Sequence, residues 1–121
     1  MSDFTAVATR YIDTWNETDP AARRTAINDL WAEDGRYVDP LAAAQGHAEI
    51  DATIAAVQSR FPDFVFRLAG PVDGHHNQCR FGWELGPEGT QAPIAGFDVA
   101  VLSADDRIEA VFGFLDRVPA A

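Results

Sequence analysis

The sequence predicts an α+β protein in which helices pack on one side of an antiparallel sheet. Two observations carry this. Up to Arg60, apolar residues recur at spacings of three and four; beyond Phe64, they alternate with polar or small residues. The later strands are apolar on nearly both faces, so each side of the sheet needs a cover. Helices supply one cover, and a second copy of the chain is expected to supply the other.

Phe4, Val7, Ala8, Tyr11 and Trp15 form one stripe on a first helix, which Asn16 to Asp19 break. Thr18 or Asp19 caps a second helix with Pro20 at its first position. That helix turns Ile27, Leu30 and Trp31 inward and is expected to end near Asp34-Gly35. Arg36 to Asp39 reads as a short extended segment stopped by Pro40. The alanine-rich stretch Ala42 to Ala55 keeps helical spacing, and a third helix is predicted from about Ala48 to Arg60, with Ile50, Ile54, Val57 and Phe61 on one face. Strands are predicted at Val65 to Val72, Asn77 to Leu85, Pro93 to Ser103 and Arg107 to Leu115. Gly86-Pro87-Glu88-Gly89 and Ala104-Asp105-Asp106 read as turns between them.

With 121 residues and 47% hydrophobic content, the chain is expected to form one domain, residues 1–121, with a core that needs no staple. Its single cysteine, Cys79, allows no internal disulfide and no multi-cysteine metal site. The N-terminus lacks a basic segment followed by an apolar run, and no stretch approaches the roughly 18–20 apolar residues of a membrane span. A cytoplasmic location is therefore expected. Nineteen acidic residues against nine basic ones, all arginine, leave a net charge of −10. Such a surface repels phosphate backbones and anionic lipid, so nucleic acid and membrane are not expected partners. Serine-nucleophile, phosphate-loop and nucleotide-binding motifs are absent. His75 and His76 point to opposite faces of a strand and complete no zinc set, and His47 reads as a local cap of the third helix. No cofactor is expected.

Three polar groups stand where the pattern calls for apolar ones. Tyr11 lies mid-stripe on the first helix, so its buried hydroxyl needs a partner, either a backbone carbonyl or a ligand. Asp98 shares a strand face with Ile94, Gly96, Ala100 and Leu102. Burial there raises its pKa and makes it a neutral donor; the alternatives are an edge aspartate facing solvent or one paired with an arginine. Asp39 ends Tyr37-Val38-Asp39-Pro40, where it either starts a turn or, on the same side as Tyr37, faces a cavity as a base. Two carboxyls whose pKa values are pushed apart suit the abstraction of a proton next to a carbonyl.

The segments Thr9-Arg10-Tyr11-Ile12-Asp13-Thr14-Trp15-Asn16 and Trp31-Ala32-Glu33-Asp34-Gly35-Arg36-Tyr37-Val38-Asp39-Pro40 resemble the first helix and the Asp-Pro segment of bacterial ketosteroid isomerases. Gly70-Pro71-Val72, Gly96-Phe97-Asp98-Val99 and Asp106-Arg107-Ile108 resemble strands of the same SnoaL-like, nuclear transport factor 2-like (NTF2-like) group. The resemblance covers nearly the whole chain. It implies a cone-shaped, cystatin-like fold whose curved sheet and helices enclose a pocket, and a homodimer. It also implies roles: Tyr11 and neutral Asp98 as the oxyanion donors, Asp39 as the general base, and a small apolar ketone as substrate. Trp31, Ile54, Phe81, Trp83, Val111 and Leu115 are the expected walls. Trp31 and Ile54 stand where the isomerases carry supporting tyrosines, and neither supplies a hydroxyl. Polyketide cyclisation, epoxide hydrolysis by an Asp-Arg-Asp relay, and non-catalytic binding of a small ligand are the alternatives on the same scaffold.

Overall fold

The computed structural model describes residues 3–119. Helix α1 (Phe4–Asn16) begins where the Asp3 carboxylate accepts the Ala6 N–H at 3.0 Å. At its far end the Asn16 side chain accepts the Phe66 N–H and donates to the Phe66 carbonyl, both at 2.8 Å. One amide thus imitates a strand neighbour and ties the helix end to the sheet edge. Helix α2 (Pro20–Leu30) starts with Asp19 as cap, accepting from Ala22 at 2.8 Å, and with Pro20 in its first turn.

The helix stops at Leu30, earlier than the sequence predicts, because Trp31–Val38 is strand β1. Its buried residues, Trp31, Gly35 and Tyr37, do not keep a strict period of two. The reason is a register shift between Trp31 and Arg36 where β1 meets the last strand. Gly35 is needed at this bulge, since a Cβ there would lie 2.6 Å from Trp31 Cε3. After the turn through residues 39–42, Ala43–Gln45 form β2 against β1 and are not part of the alanine-rich helix. Gly46, at φ +86°, separates β2 from α3 (His47–Arg60). His47 does not cap α3; its Nε2 instead lies 3.1 and 3.0 Å from the Trp31 and Ala32 carbonyls, fixing α3 to the start of β1.

Strands β3 (Phe64–His75), β4 (Gln78–Pro87), β5 (Ile94–Leu102) and β6 (Ile108–Arg117) follow the predicted meander; β3, β4 and β6 run two or three residues past the predicted ends, and β5 is one residue shorter at each end. The sheet order is β2-β1-β6-β5-β4-β3. All pairs are antiparallel except β1 with β6, so the sheet is mixed and not wholly antiparallel as expected. Register shifts in β1, β3 and between β5 and β6 bend it. Ala8, Ile27, Leu30, Ile50, Ile54, Phe81, Leu102, Ile108 and Val111 fill the core between the bent sheet and the helices. No helix among the described residues is long and apolar enough to cross a membrane.

One buried polar network sets how the three helices sit together. Arg23, only 5% exposed, donates from Nε to Asp51 at 2.6 Å and from Nη1 to Gln58 Oε1 at 3.0 Å. Gln58 in turn donates to the carbonyls of Trp15 and Glu17 at 2.9 and 2.8 Å. Removing the guanidinium leaves the Asp51 carboxylate and Gln58 Oε1, both on α3, without this donor and unties α2 from α3. Arg23→Ala is therefore expected to lower stability by about 3–5 kcal/mol. Arg80→Ala, which breaks an exposed pair with Asp73, is expected to cost about 1 kcal/mol or less. Urea denaturation of the two variants checks the contrast.

Candidate active site

Asp98 sits on the inward face of β5, 3% exposed. Across the sheet, the Trp83 indole Nε1–H donates to its Oδ1 at 3.1 Å. The indole reaches it because Gly96, on the same face, has no side chain: a Cβ there would lie 2.2 Å from Trp83 Cζ2. Tyr11 comes down from α1, wedged edge-on against Phe81 at 5.6 Å and tilted against Trp15 and Trp31 at 6.3 Å each. Its hydroxyl interacts with the Asp98 carboxyl.

Asp39 arrives from the end of β1. Its Oδ2 accepts the Tyr37 hydroxyl at 2.6 Å, and its Oδ1 accepts the Leu41 and Ala42 N–H groups at 2.8 Å each. The carboxylate therefore organises the Pro40 turn and reaches the cavity at once. Gly113 on β6 lies directly between the two acids. A Cβ at this position would stand 2.8 Å from Asp98 Oδ1, 3.3 Å from Asp39 Cβ and 3.7 Å from the Tyr37 hydroxyl. The two carboxyl groups and a tyrosine thus converge over one bare stretch of backbone.

The electrostatics follow from this placement. Burial pushes the Asp98 carboxyl up to about 7; the Trp83 and Tyr11 donors pull it down in part, and the Asp39 charge adds a further push upward. Burial also raises Tyr11 and Tyr37 well above an ordinary phenol, with the Asp98 charge acting in the same direction. Both tyrosines are therefore proton donors at neutral pH, while Asp98 is close to half-protonated. Burial raises the Cys79 thiol to about 11, so it is no nucleophile.

These groups form the buried end of a cavity of about 710 Å³. That volume suits a drug-sized ligand. Its walls are mostly apolar, from Ile12, Trp15, Val57, Phe66, Leu85 and Ile94; Leu41, Arg60, Val118 and Pro119 stand at the solvent end. Of the residues selected from the sequence, the structure brings together Tyr11, Asp39 and Asp98, and Trp83 and Leu115 line the same cavity. Trp31, Ile54, Phe81 and Val111 do not line it. At 0–1% exposure they are core, and Trp31 and Phe81 back the Tyr11 ring. Phe81 and Val111 are on the inward face, but their position along the strand puts them behind the cavity. Tyr37, Gly96 and Gly113 were not foreseen as parts of the site. Tyr37 had a visible signal, its two-residue spacing from Asp39; the glycines had none without the strand register. Among the described residues, no three His, Cys, Asp or Glu side chains cluster as a metal site.

The fold and this acid-lined cavity define a protein of the NTF2-like class. The SnoaL-like domain family matches residues 8–111, and the chain belongs to that family. It is similar, at 41% identity and TM-score 0.91, to an Agrobacterium tumefaciens C58 protein provisionally assigned as a SnoaL-like isomerase, covering 96% of this chain and 99% of that one. A provisionally assigned polyketide cyclase from Sinorhizobium meliloti shares the fold at TM-score 0.70 and 15% identity, covering 89% of this chain and 93% of that one. An NTF2-like protein of unknown function from Cytophaga hutchinsonii shares it at TM-score 0.69 and 12% identity, covering 96% and 92%. None of the curated proteins compared with the chain matches it.

The raised Asp98 pKa has a signed consequence for stability. The folded state holds the proton up to about pH 7, whereas an unfolded aspartate releases it near 3.8. The folded state thus binds more protons between these values, so this group's contribution to stability falls as pH rises from about 3.8 to about 7 and is level above. Asp98→Asn removes the effect. Relative to that variant, the wild type is expected to lose on the order of 4 kcal/mol across this window, read by urea denaturation at a series of pH values.

Proposed function

We propose that this protein transfers a proton next to the carbonyl of a small, largely apolar ketone and returns it elsewhere on the same molecule, an isomerisation that needs no cofactor. The observation that carries this is the meeting of Asp39 and Asp98 over Gly113 at the buried end of an apolar cavity. Asp39 takes the α-proton, and the C–H electron pair becomes the double bond of an enolate. The carbonyl electrons move to its oxygen, which accepts hydrogen bonds from Tyr11 and protonated Asp98. Asp39 then gives the proton back at a different carbon, so the atoms balance. Trp83 is a positioning residue here. An indole N–H can only donate, so Oδ1 serves as acceptor and the Asp98 proton is left to Oδ2.

A second reading has one observation in its favour. Three donors already occupy the Asp39 oxygens, whereas Asp98, near neutrality in an apolar site, is itself poised as an acid–base group. A single carboxyl of that kind suits ring closure by carbanion addition, the activity suggested for the Sinorhizobium relative. Epoxide hydrolysis fits less well, because Arg60 stands at the solvent end of the cavity and pairs with neither carboxylate among the described residues. A homodimer remains part of the proposal. The outward side of the two middle strands, β5 and β6, carries Phe97, Val99, Val101 and Phe112 half-buried and Phe114 exposed, a contiguous strip that suits a second copy. Sedimentation at micromolar concentration checks it, a stable dimer burying upward of ~1,000 Å².

Proton–deuterium exchange at the α-carbon of β,γ-unsaturated ketones, followed by NMR, tests the mechanism, with phenol binding as a parallel readout. Asp39→Asn is expected to abolish exchange and leave phenol binding intact or tighter, since a charge facing the ligand is removed. Tyr11→Phe and Asp98→Ala are expected to slow exchange about 10²–10³-fold and to weaken phenol binding. Exchange that survives Asp39→Asn but not Asp98→Asn would favour the second reading. Equal phenol affinity and no exchange in any of the five proteins would leave a binding module without turnover.

A further inference from the structure

The cavity is electrically polarised along its length. Its buried end holds the carboxyl groups of Asp39 and Asp98 beside two tyrosine hydroxyls. At the solvent end, Arg60 is the one cationic side chain among the described residues that line it. Five other arginines pair with carboxylates, namely Arg23, Arg67, Arg80, Arg107 and Arg117. Arg60, like Arg10, Arg24 and Arg36, has no such pair among the described residues, and of these four only Arg60 lines the cavity. Its guanidinium lies 5.9 Å from the centroid of Phe61, itself a cavity wall stacked on Phe64 at 5.3 Å. Placement in the last turn of α3 suits a positive charge, because the helix C-terminus is electronegative. That explains the sign of the charge but not its seat beside an aromatic wall of the cavity.

We infer that Arg60 is an anion subsite, and that the ligand is an apolar ketone carrying a carboxylate at the end remote from its carbonyl. This rests on the proton-transfer reading only for the carbonyl; the anion subsite stands on the cavity's own charge distribution. The orientation follows from electrostatics. An anionic group led into the buried end meets the Asp39 carboxylate, whose like charge in a poorly solvated site repels it. The same group at the mouth meets a guanidinium whose planar fork matches a carboxylate. Attraction at one end and repulsion at the other both place the neutral carbonyl against Tyr11 and Asp98. A long-range field from an acidic surface opposes entry of an anion, and a local cation at the mouth offsets part of that repulsion.

The test uses N-phenylnaphthylamine as a neutral fluorescent reporter, displaced by decanoate or by decanol, which differ in charge and little in shape. It is run at mildly alkaline pH with wild type, Arg60→Gln and Arg60→Lys. Arg60 is exposed, so neither variant disturbs the core. Decanoate is expected to displace roughly two- to fivefold less well from Arg60→Gln, the range of an exposed ion pair. Decanol should be unaffected, Arg60→Lys should keep most of the decanoate affinity, and added salt should erase the difference between wild type and Arg60→Gln. A decanoate-to-decanol ratio that is the same in wild type and Arg60→Gln overturns the inference. So does failure of the reporter to bind, or of either ligand to displace it. The two proposals fail separately: an Arg60-dependent ratio without α-proton exchange keeps the subsite and removes the chemistry, and exchange with an Arg60-independent ratio does the reverse.

Discussion

The buried carboxyl of Asp98 is the constraint around which this molecule is arranged. An aspartate on the inner face of a central strand opposes folding once ionised, and its raised pKa expresses that cost. The surroundings reduce the cost without cancelling it. Trp83 donates one hydrogen bond, Tyr11 offers another, and two glycines on the same sheet face clear the space that these side chains need. A chain selected for stability alone gains by placing an apolar residue here. Retention of the acid, with an aromatic cage built to fit it, is the kind of local conflict that marks a working site.

The sheet's one parallel pairing makes the constellation possible. Asp39 belongs to β1 and Asp98 to β5, and the two strands do not touch. Strand β6 lies between them, parallel to β1 on one side and antiparallel to β5 on the other. Its Gly113 is opposite Asp98 in register and close to Asp39 beyond the end of β1. Residues about sixty positions apart in sequence thus share one patch of bare backbone. The register shift within β1 decides where that strand ends relative to Gly113 and therefore where Asp39 points.

Much of this was legible in the sequence wherever a local rule acts alone. Asp19-Pro20 announced α2, the stripe through Tyr11 announced α1, and the alternation from Ile94 to Leu102 put Asp98 on the buried face, as found. What stayed hidden depended on partners distant in sequence. Trp31 to Gly35 reads as the tail of a helix because its bulged burial pattern matches neither period; only pairing with β6 makes it a strand. Ala43 to Gln45 has helical composition and is extended because β1 offers an edge. The cavity walls failed for a related reason. Alternation groups residues by face, but depth along a strand depends on where the helices lie, so Phe81 and Val111 are core behind the cavity and not its walls. Helix α3 supplies a wall through Thr53, Val57 and Arg60, whose positions follow only from the Arg23–Asp51–Gln58 network that seats the helix.

Asp39 shows why the choice of substitution matters for any assignment of chemistry here. Its carboxylate faces the cavity, and it also holds the Leu41 and Ala42 N–H groups that shape the turn carrying Leu41 to the mouth. Alanine removes both roles together: the turn loses its acceptor, the mouth residue is released, and a loss of activity then says nothing about a base. Asparagine separates them. Its amide oxygen can still accept the two backbone donors, and its nitrogen can donate to the Tyr37 oxygen in place of accepting from it, so the turn keeps its shape while the proton acceptor is gone. The same reasoning applies in mirror image to Asp98, where asparagine keeps an acceptor for the Trp83 indole but cannot exchange a proton with a ligand. Two amide substitutions that keep these hydrogen bonds while removing the carboxyl proton therefore distinguish a carboxyl that acts from one that only supports the fold.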